Sequence, residues 1–308
     1  KKFELQHQSL SISKSAVQFS TIEIFQTSLK YIHQTTQNEV ILDNDNIKKE
    51  ISNAKFYNDG TEIIRPILSE KQEIPTIEVY NGDCLSYALD LKKKLGLNPI
   101  VLNMANDQVP GGNYLYGAGA QEENLFRRTN LFQYHEPKRN EWYPIPNAGG
   151  IYCPNATVIR ASEQENYMFL DVPEKMSFVA VAALCQPTLV TDSDGNVTLT
   201  DDNKELTRQK IRSMLNIGLD NGHDSIVLSA FGCGAFSNPP STIAQLFHEI
   251  ISQEYAGGAE NLPKTYRHIG FAIFDDESAS QWKDGEGNFL PFKKLFANGL
   301  RSINQQPE

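Results

Sequence analysis

From Pro75 onward the chain alternates short apolar runs with segments whose apolar residues recur at helical spacing. Residues 76–80 form a short predicted strand. Gly82-Asp83-Cys84 turns from it into a helix carrying Leu85, Ala88, Leu89 and Leu95, closed by Gly96. Residues 100–104 are almost continuously apolar, the pattern of a strand covered on both faces. Residues 177–184, 225–229 and 268–274 read the same way. One helix is marked by Ile211, Met214, Leu215, Gly218 and Leu219; another, after Pro239-Pro240, by Ile243, Leu246, Phe247, Ile250 and Ile251. Both sets follow the i, i+3, i+4, i+7, i+8 stripe of an amphipathic helix. This alternation predicts a three-layer α/β/α domain. Residues 191–197 read as a hairpin insertion with an Asp-Gly turn.

The first 75 residues break the rhythm. They are rich in Gln, Ser, Thr, Asn and Ile, with weak helical periodicity over residues 22–32, a turn at residues 43–46 and a helix predicted over residues 47–54. The segment reads either as a helical accessory piece packed on the main domain or as a partly disordered extension. We take the first reading, which divides the chain into an N-terminal helical extension, residues 1–75, and a main domain, residues 76–308. No internal repeat or long low-complexity tract appears.

Bulk properties narrow the function. With 308 residues, 40% hydrophobic and 21% charged, the chain suits one large α/β domain. No run of about 18 apolar residues exists, so no spanning helix is expected. Residues 1–7 lack the apolar core of a secretory leader. The four cysteines, Cys84, Cys153, Cys185 and Cys233, lie far apart and form no C-x-x-C pair. That argues against a zinc site or a dense disulfide framework and for a reduced, intracellular setting, read as cytoplasmic, with a secreted effector left open. A net charge of −10 argues against broad attraction to nucleic acid or an anionic membrane. An anionic ligand would be held locally, by backbone N–H groups or a few arginines, and a monomer is expected.

The candidate chemistry sits past the end of the 100–104 run. Asn103 and Asn106 flank the strand end and either bind sugar hydroxyls or cap local turns. Then come Pro110-Gly111-Gly112-Asn113, seven further residues, and Gln121-Glu122-Glu123. Glycines allow positive φ and let backbone N–H groups approach phosphate oxygens. Adjacent carboxylates raise each other's pKa when poorly solvated, which makes a general acid available near neutrality. The alternative is an exposed acidic first turn favoured by the helix dipole, with Gln121 near the cap. Arg127 and Arg128 follow, either paired with Glu123, touching an anionic substrate, or in surface ion pairs. A second glycine loop, Gly232-Cys233-Gly234-Ala235-Phe236, comes straight after the 225–229 strand, where ligands bind in α/β sheets. It lacks the third glycine of a dinucleotide fingerprint. Phe236 either stacks on a sugar or base or joins the core. Asp83 either accepts a hydrogen bond from an adenine amino group or caps the helix that starts there. No H-E-x-x-H motif, P-loop or G-x-S-x-G elbow appears.

Residues 103–130 resemble the signature of poly(ADP-ribose) glycohydrolases of the short microbial type, a Gly-Gly-Gly turn followed after six to eight residues by Gln-Glu-Glu. Gln121-Glu122-Glu123 matches fully. Ile151-Tyr152-Cys153-Pro154, leading to Val158 and Arg160, is similar to the family's Tyr-Ser-Pro segment, residues 231–239 to its second phosphate loop, and residues 270–274 to its last core strand. The resemblance covers about residues 76–280. It implies a macrodomain-like fold with a mixed central sheet, and an ADP-ribosyl glycohydrolase that needs no cofactor and no metal. By position, Glu123 matches the catalytic glutamate, Glu122 the neighbour that holds ribose hydroxyls, and Asn106 the contact to the distal ribose. Gly111, Gly112 and residues 232–236 match the diphosphate cradle, and Asp83 the acidic residue near adenine. The implied substrate is poly(ADP-ribose) or ADP-ribosylated protein. Two departures stand out. Asn113 replaces the third glycine, at a position expected to need positive φ, with a side chain expected to crowd the phosphates and scissile ribose. Cys185-Gln186-Pro187 replaces a Pro-Ala-Pro-Asn run. They leave open an enzyme acting on singly modified protein, through an arginine or acidic linkage, and a reader that binds without hydrolysis.

Overall fold

The computed structural model describes residues 14–275 and 287–300, so residues 1–7, read above for a leader, lie outside the described residues. Seven strands make one sheet: β1 (Lys55–Tyr57), β2 (Thr76–Asn81), β3 (Pro99–Met104), β4 (Gly150–Arg160), β5 (Phe169–Val181), β6 (Ser225–Leu228) and β7 (His268–Ile273). Their spatial order is β1-β4-β5-β3-β6-β7-β2. From β5 to β2 every pairing is parallel, with Ile100 opposite Ser177 on one side and Ile226 on the other. β4 and β1 are antiparallel additions, so the sheet is mixed as expected.

Alternate residues of the central strands feed two cores. Val101, Phe178, Ala180 and Val227 pack on one face with α1 (Asn44–Ser52), α2 (Cys84–Leu95) and α3 (Gln121–Arg128). Ile100, Leu102, Val179, Val181, Ile226 and Leu228 pack on the other with α4 (Asp201–Asp220), α5 (Pro240–Glu254) and α6 (Phe289–Phe296). Both faces are covered, which is why these strands carry no polar alternation. The three-layer α/β/α expectation therefore holds. Gly96 ends α2 at φ 64, the left-handed stop its position predicted. Strands Leu189–Thr191 and Val197–Leu199 pair as the expected hairpin, with Gly195 at φ 86.

Several boundaries differ. The strand expected over residues 177–184 begins at Phe169 and stops at Val181. α1 begins at Asn44, ahead of the expected residue 47, because Asp43 caps it by accepting the Asn46 N–H. β4 was not readable as a strand: its register breaks between Cys153 and Ala156, and Asn155 sits at φ 43, which destroys the two-residue period. Residues 14–23 are helical, and β1 brings part of the first 75 residues into the main sheet against β4. Among the described residues, no helix is long and apolar enough to cross a membrane.

Candidate active site

The Gln-Glu-Glu triplet opens α3. Ala120 at its N-cap supplies no side-chain bond, so the helix start is held instead by Gln121. Its Oε1 accepts the Met104 N–H at 2.9 Å, and its Nε2 donates to the Leu102 carbonyl at 2.6 Å. The amide thus clips α3 to the carboxyl end of β3. The other end of α3 is held by the 14–23 helix: Thr21 Oγ1 donates to the Arg127 carbonyl at 2.7 Å and Gln18 Nε2 to that of Phe126 at 3.4 Å. These are carbonyls a helix terminus leaves without intrahelical partners. Between the two clips the helix is enclosed. Glu122 and Glu123 are 3% and 7% exposed, so an exposed acidic first turn does not describe this pair.

The two carboxylates are bonded unequally. Glu122 Oε1 accepts from Asn103 Nδ2 at 3.3 Å and from the Gly111 N–H at 3.2 Å, while Oε2 accepts the Asn106 N–H at 2.8 Å. Burial pushes the Glu122 carboxyl up to about 8; the Asn106 N–H opposes this and the Glu123 charge adds to it. Glu123 Oε1 accepts the Asn113 N–H at 3.1 Å, and Oε2 is buried without a partner. Gly112, at φ 53, lies against both: a Cβ there would stand 2.6 Å from Glu123 Oε1 and 3.5 Å from Glu122 Oε2. At Gly111, φ 68, a Cβ would meet the Phe126 and Tyr114 rings from 2.5 Å. Backbone conformation and space both demand glycine at these two positions.

Asn113 corrects an expectation. Its φ is −101, so the third glycine position needs no left-handed backbone here. Its side chain is exposed, and its main-chain N–H is what reaches Glu123. Asn106 caps its own turn, Oδ1 accepting from Gln108 and Val109 N–H at 2.9 Å each, while its N–H serves Glu122.

A cavity of about 630 Å³ opens at the carboxyl ends of β3, β6, β7 and β2. Of the residues singled out in the sequence, Asp83, Gln121, Gly232, Gly234, Ala235 and Phe236 line it. Asn103, Asn106, Gly111, Gly112, Asn113, Glu122 and Glu123 gather in a second group beside it, joined through Met104, Ala105 and Gln121. Cys233 reaches neither group. It is fully buried, its thiol faces the Phe231 carbonyl at 3.7 Å, and burial holds that thiol well above the usual range. The second loop is braced from within by Asn238, whose Nδ2 meets the carbonyls of Leu184, Gly232 and Phe236 at 2.7, 3.0 and 3.3 Å.

Asp83 caps α2 by accepting the Ser86 N–H at 2.7 Å, and Arg128 Nη1 meets both its oxygens at 2.9 and 2.8 Å. Burial pushes this carboxyl up, but Arg128 and Ser86 outweigh it and the net shift is down. Arg128 thus pairs with Asp83 rather than Glu123. Arg127 donates to the Ala118 carbonyl at 2.8 Å and to Tyr167 Oη at 3.2 Å. Both arginines are buried, not surface ion-pair partners. Sequence reasoning missed Lys14, Asn124, Glu163, Phe274 and Asn288, all on the cavity wall. Only Phe274, ending an apolar run, carried a signal.

Residues 20–161 match the family described as microbial-type PARG, catalytic domain, a span that includes the acid pair and its glycine loop. A comparison with curated proteins finds no match. Among solved structures, poly(ADP-ribose) glycohydrolase from Thermomonospora curvata is 22% identical with a TM-score of 0.73, over 92% of this chain and 99% of that one. The same organism's enzyme bound to the inhibitor ADP-HPD gives 23%, a TM-score of 0.70 and the same coverage, 92% and 99%. Poly(ADP-ribose) glycohydrolase from Deinococcus radiodurans in complex with ADP-ribose gives 22% and 0.64, over 81% and 96%. The chain is thus similar to the microbial-type PARG catalytic domain over residues 20–161, and over most of its length it has the fold of the solved bacterial poly(ADP-ribose) glycohydrolases.

Proposed function

We propose that the chain releases ADP-ribose from poly(ADP-ribose) or from ADP-ribosylated protein, with Glu123 as general acid and then general base. The observation that supports this most is the unequal bonding of the pair. Glu122 has protein donors on both oxygens, whereas Glu123 Oε2 is buried and unpartnered. Leaving such an atom unsatisfied costs about 1–3 kcal/mol. A substrate oxygen brought to it relieves that cost. The Gly112-Asn113 turn engages the other oxygen, Oε1, and supplies Oε2 with no donor.

In this mechanism the proton held by the closely coupled pair passes through Glu123 to the oxygen leaving the anomeric carbon. The C–O bond breaks and positive charge spreads over an oxocarbenium-like ribose. Water attacks that carbon, and the Glu123 carboxylate takes the proton water gives up. The products are ADP-ribose and the freed hydroxyl or side chain. Glu122, fixed by Asn103, Asn106 and Gly111, orients the ribose hydroxyls. The order of strand ends supports the pose: acid pair at β3, Gly232–Phe236 loop at β6, Phe274 at β7, Asp83 at β2. A diphosphate at the second loop leaves the adenosine toward Phe274 and Asp83. Relatives crystallised with ADP-ribose and with ADP-HPD fit the same ligand class.

The net charge of −10 supports a small, locally held ligand and action away from nucleic acid and anionic membranes. The reading is tested by incubating the chain with poly(ADP-ribose) and, separately, with singly ADP-ribosylated protein. Release of ADP-ribose from either supports hydrolysis; release from neither, with ADP-ribose still bound, makes the protein a reader.

A further inference from the structure

We infer that the N-terminal segment completes the ligand site by supplying a phosphate-binding cation, Lys14. The inference rests on the ADP-ribose reading above. Among the described residues lining the cavity, Lys14 is the only Lys, Arg or His. Its side chain is 19% exposed, and Nζ pairs with Glu163 Oε1 at 2.8 Å. The same Nζ lies 2.9 Å from where a Cβ on Gly119 would stand, two residues before α3 begins at Gln121. An ammonium and the positive end of a helix therefore meet at one place on the cavity wall. Apart they suit an anion; together they repel, and Glu163 is the carboxylate that offsets them.

An ammonium carries three donors. One satisfies Glu163, which leaves donor capacity for a phosphate oxygen entering the cavity. The position of Lys14 is fixed by the helix that carries it. Thr21 and Gln18 dock that helix on the end of α3, and Arg160 grips it through Ser20 Oγ and Thr21 Oγ1 at 2.9 Å each. The side chains that hold α3 thus also deliver a cation to its start. The cavity's other acid, Asp83, is already neutralised by Arg128.

The test measures binding of ADP-ribose and of adenosine, which lacks phosphate, to the full chain by NMR titration at several salt concentrations. Lys14→Gln should weaken ADP-ribose binding about tenfold or more and leave adenosine within about twofold. The dependence of ADP-ribose affinity on salt should also flatten. Lys14→Arg should restore affinity, and Glu163→Gln, which removes the competing carboxylate, should tighten ADP-ribose binding. A merely structural ion pair predicts the same direction for Lys14→Gln and Glu163→Gln. Unchanged ADP-ribose affinity in Lys14→Gln, or equal losses for both ligands, overturns the inference. Failure of the unaltered protein to bind ADP-ribose overturns the functional reading beneath it.

Discussion

Gln121 and Met104 are joined side chain to main chain: Gln121 Oε1 accepts the Met104 N–H at 2.9 Å, while the same amide donates to Leu102 at 2.6 Å. The acid helix is thus registered on the strand by one residue, immediately before the two glutamates. Gln121→Ala leaves both backbone groups without these partners and should cost about 1–3 kcal/mol in urea unfolding. Turnover should fall with it, since Glu122 and Glu123 depend on that registration. A loss of stability below about 0.5 kcal/mol would show that the clip is dispensable.

Gly112 tests the packing of the pair. Its φ of 53 and the 2.6 Å gap to Glu123 Oε1 leave no room for a methyl group. Gly112→Ala should displace the carboxylate and lower kcat by about a hundredfold, the scale of a 1 Å misplacement. The folded state should survive, because the loop lies outside the two cores. Unchanged kcat would mean that the loop carries no positional constraint.

Glu122 makes stability depend on pH. Its carboxyl titrates near 4.5 in the unfolded chain and about 8 in the fold, raised chiefly by burial. Between those values the folded chain keeps a proton that the unfolded chain has released. The contribution is complete below pH 4.5 and is lost as pH rises through 8. Melting temperature should therefore fall from pH 5 to pH 8.5 more steeply in the unaltered protein than in Glu122→Gln. Parallel curves would place the titration elsewhere.

These residues also show where the sequence stopped being informative. β3, β6 and β7 were legible because strands covered on both faces are nearly continuous in apolar residues, and α4 and α5 because each buries one stripe. The Gln-Glu-Glu triplet was legible through its spacing from the glycine turn. β4 was not, because its bulge at Asn155 erases the alternation on which strand reading depends. The 14–23 helix was invisible as part of the site for another reason. It docks through Gln18, Ser20 and Thr21, and polar docking leaves no hydrophobic period. The burial of Arg127 and Arg128 was hidden likewise, since the carbonyl, tyrosine and carboxylate that receive them are distant in sequence or supplied by backbone.

The division of labour between Glu122 and Glu123 is the central claim, and Glu123→Gln addresses it most directly. The variant keeps the size of the side chain and an oxygen for the Asn113 N–H, but it has no carboxyl proton to give. The measurement is ADP-ribose released from poly(ADP-ribose) or singly modified protein, beside the affinity of the same variant for ADP-ribose. The account predicts affinity within a few-fold of the unaltered protein and turnover reduced by about a thousandfold or more. Turnover close to that of the unaltered protein would contradict it and remove Glu123 from the chemistry.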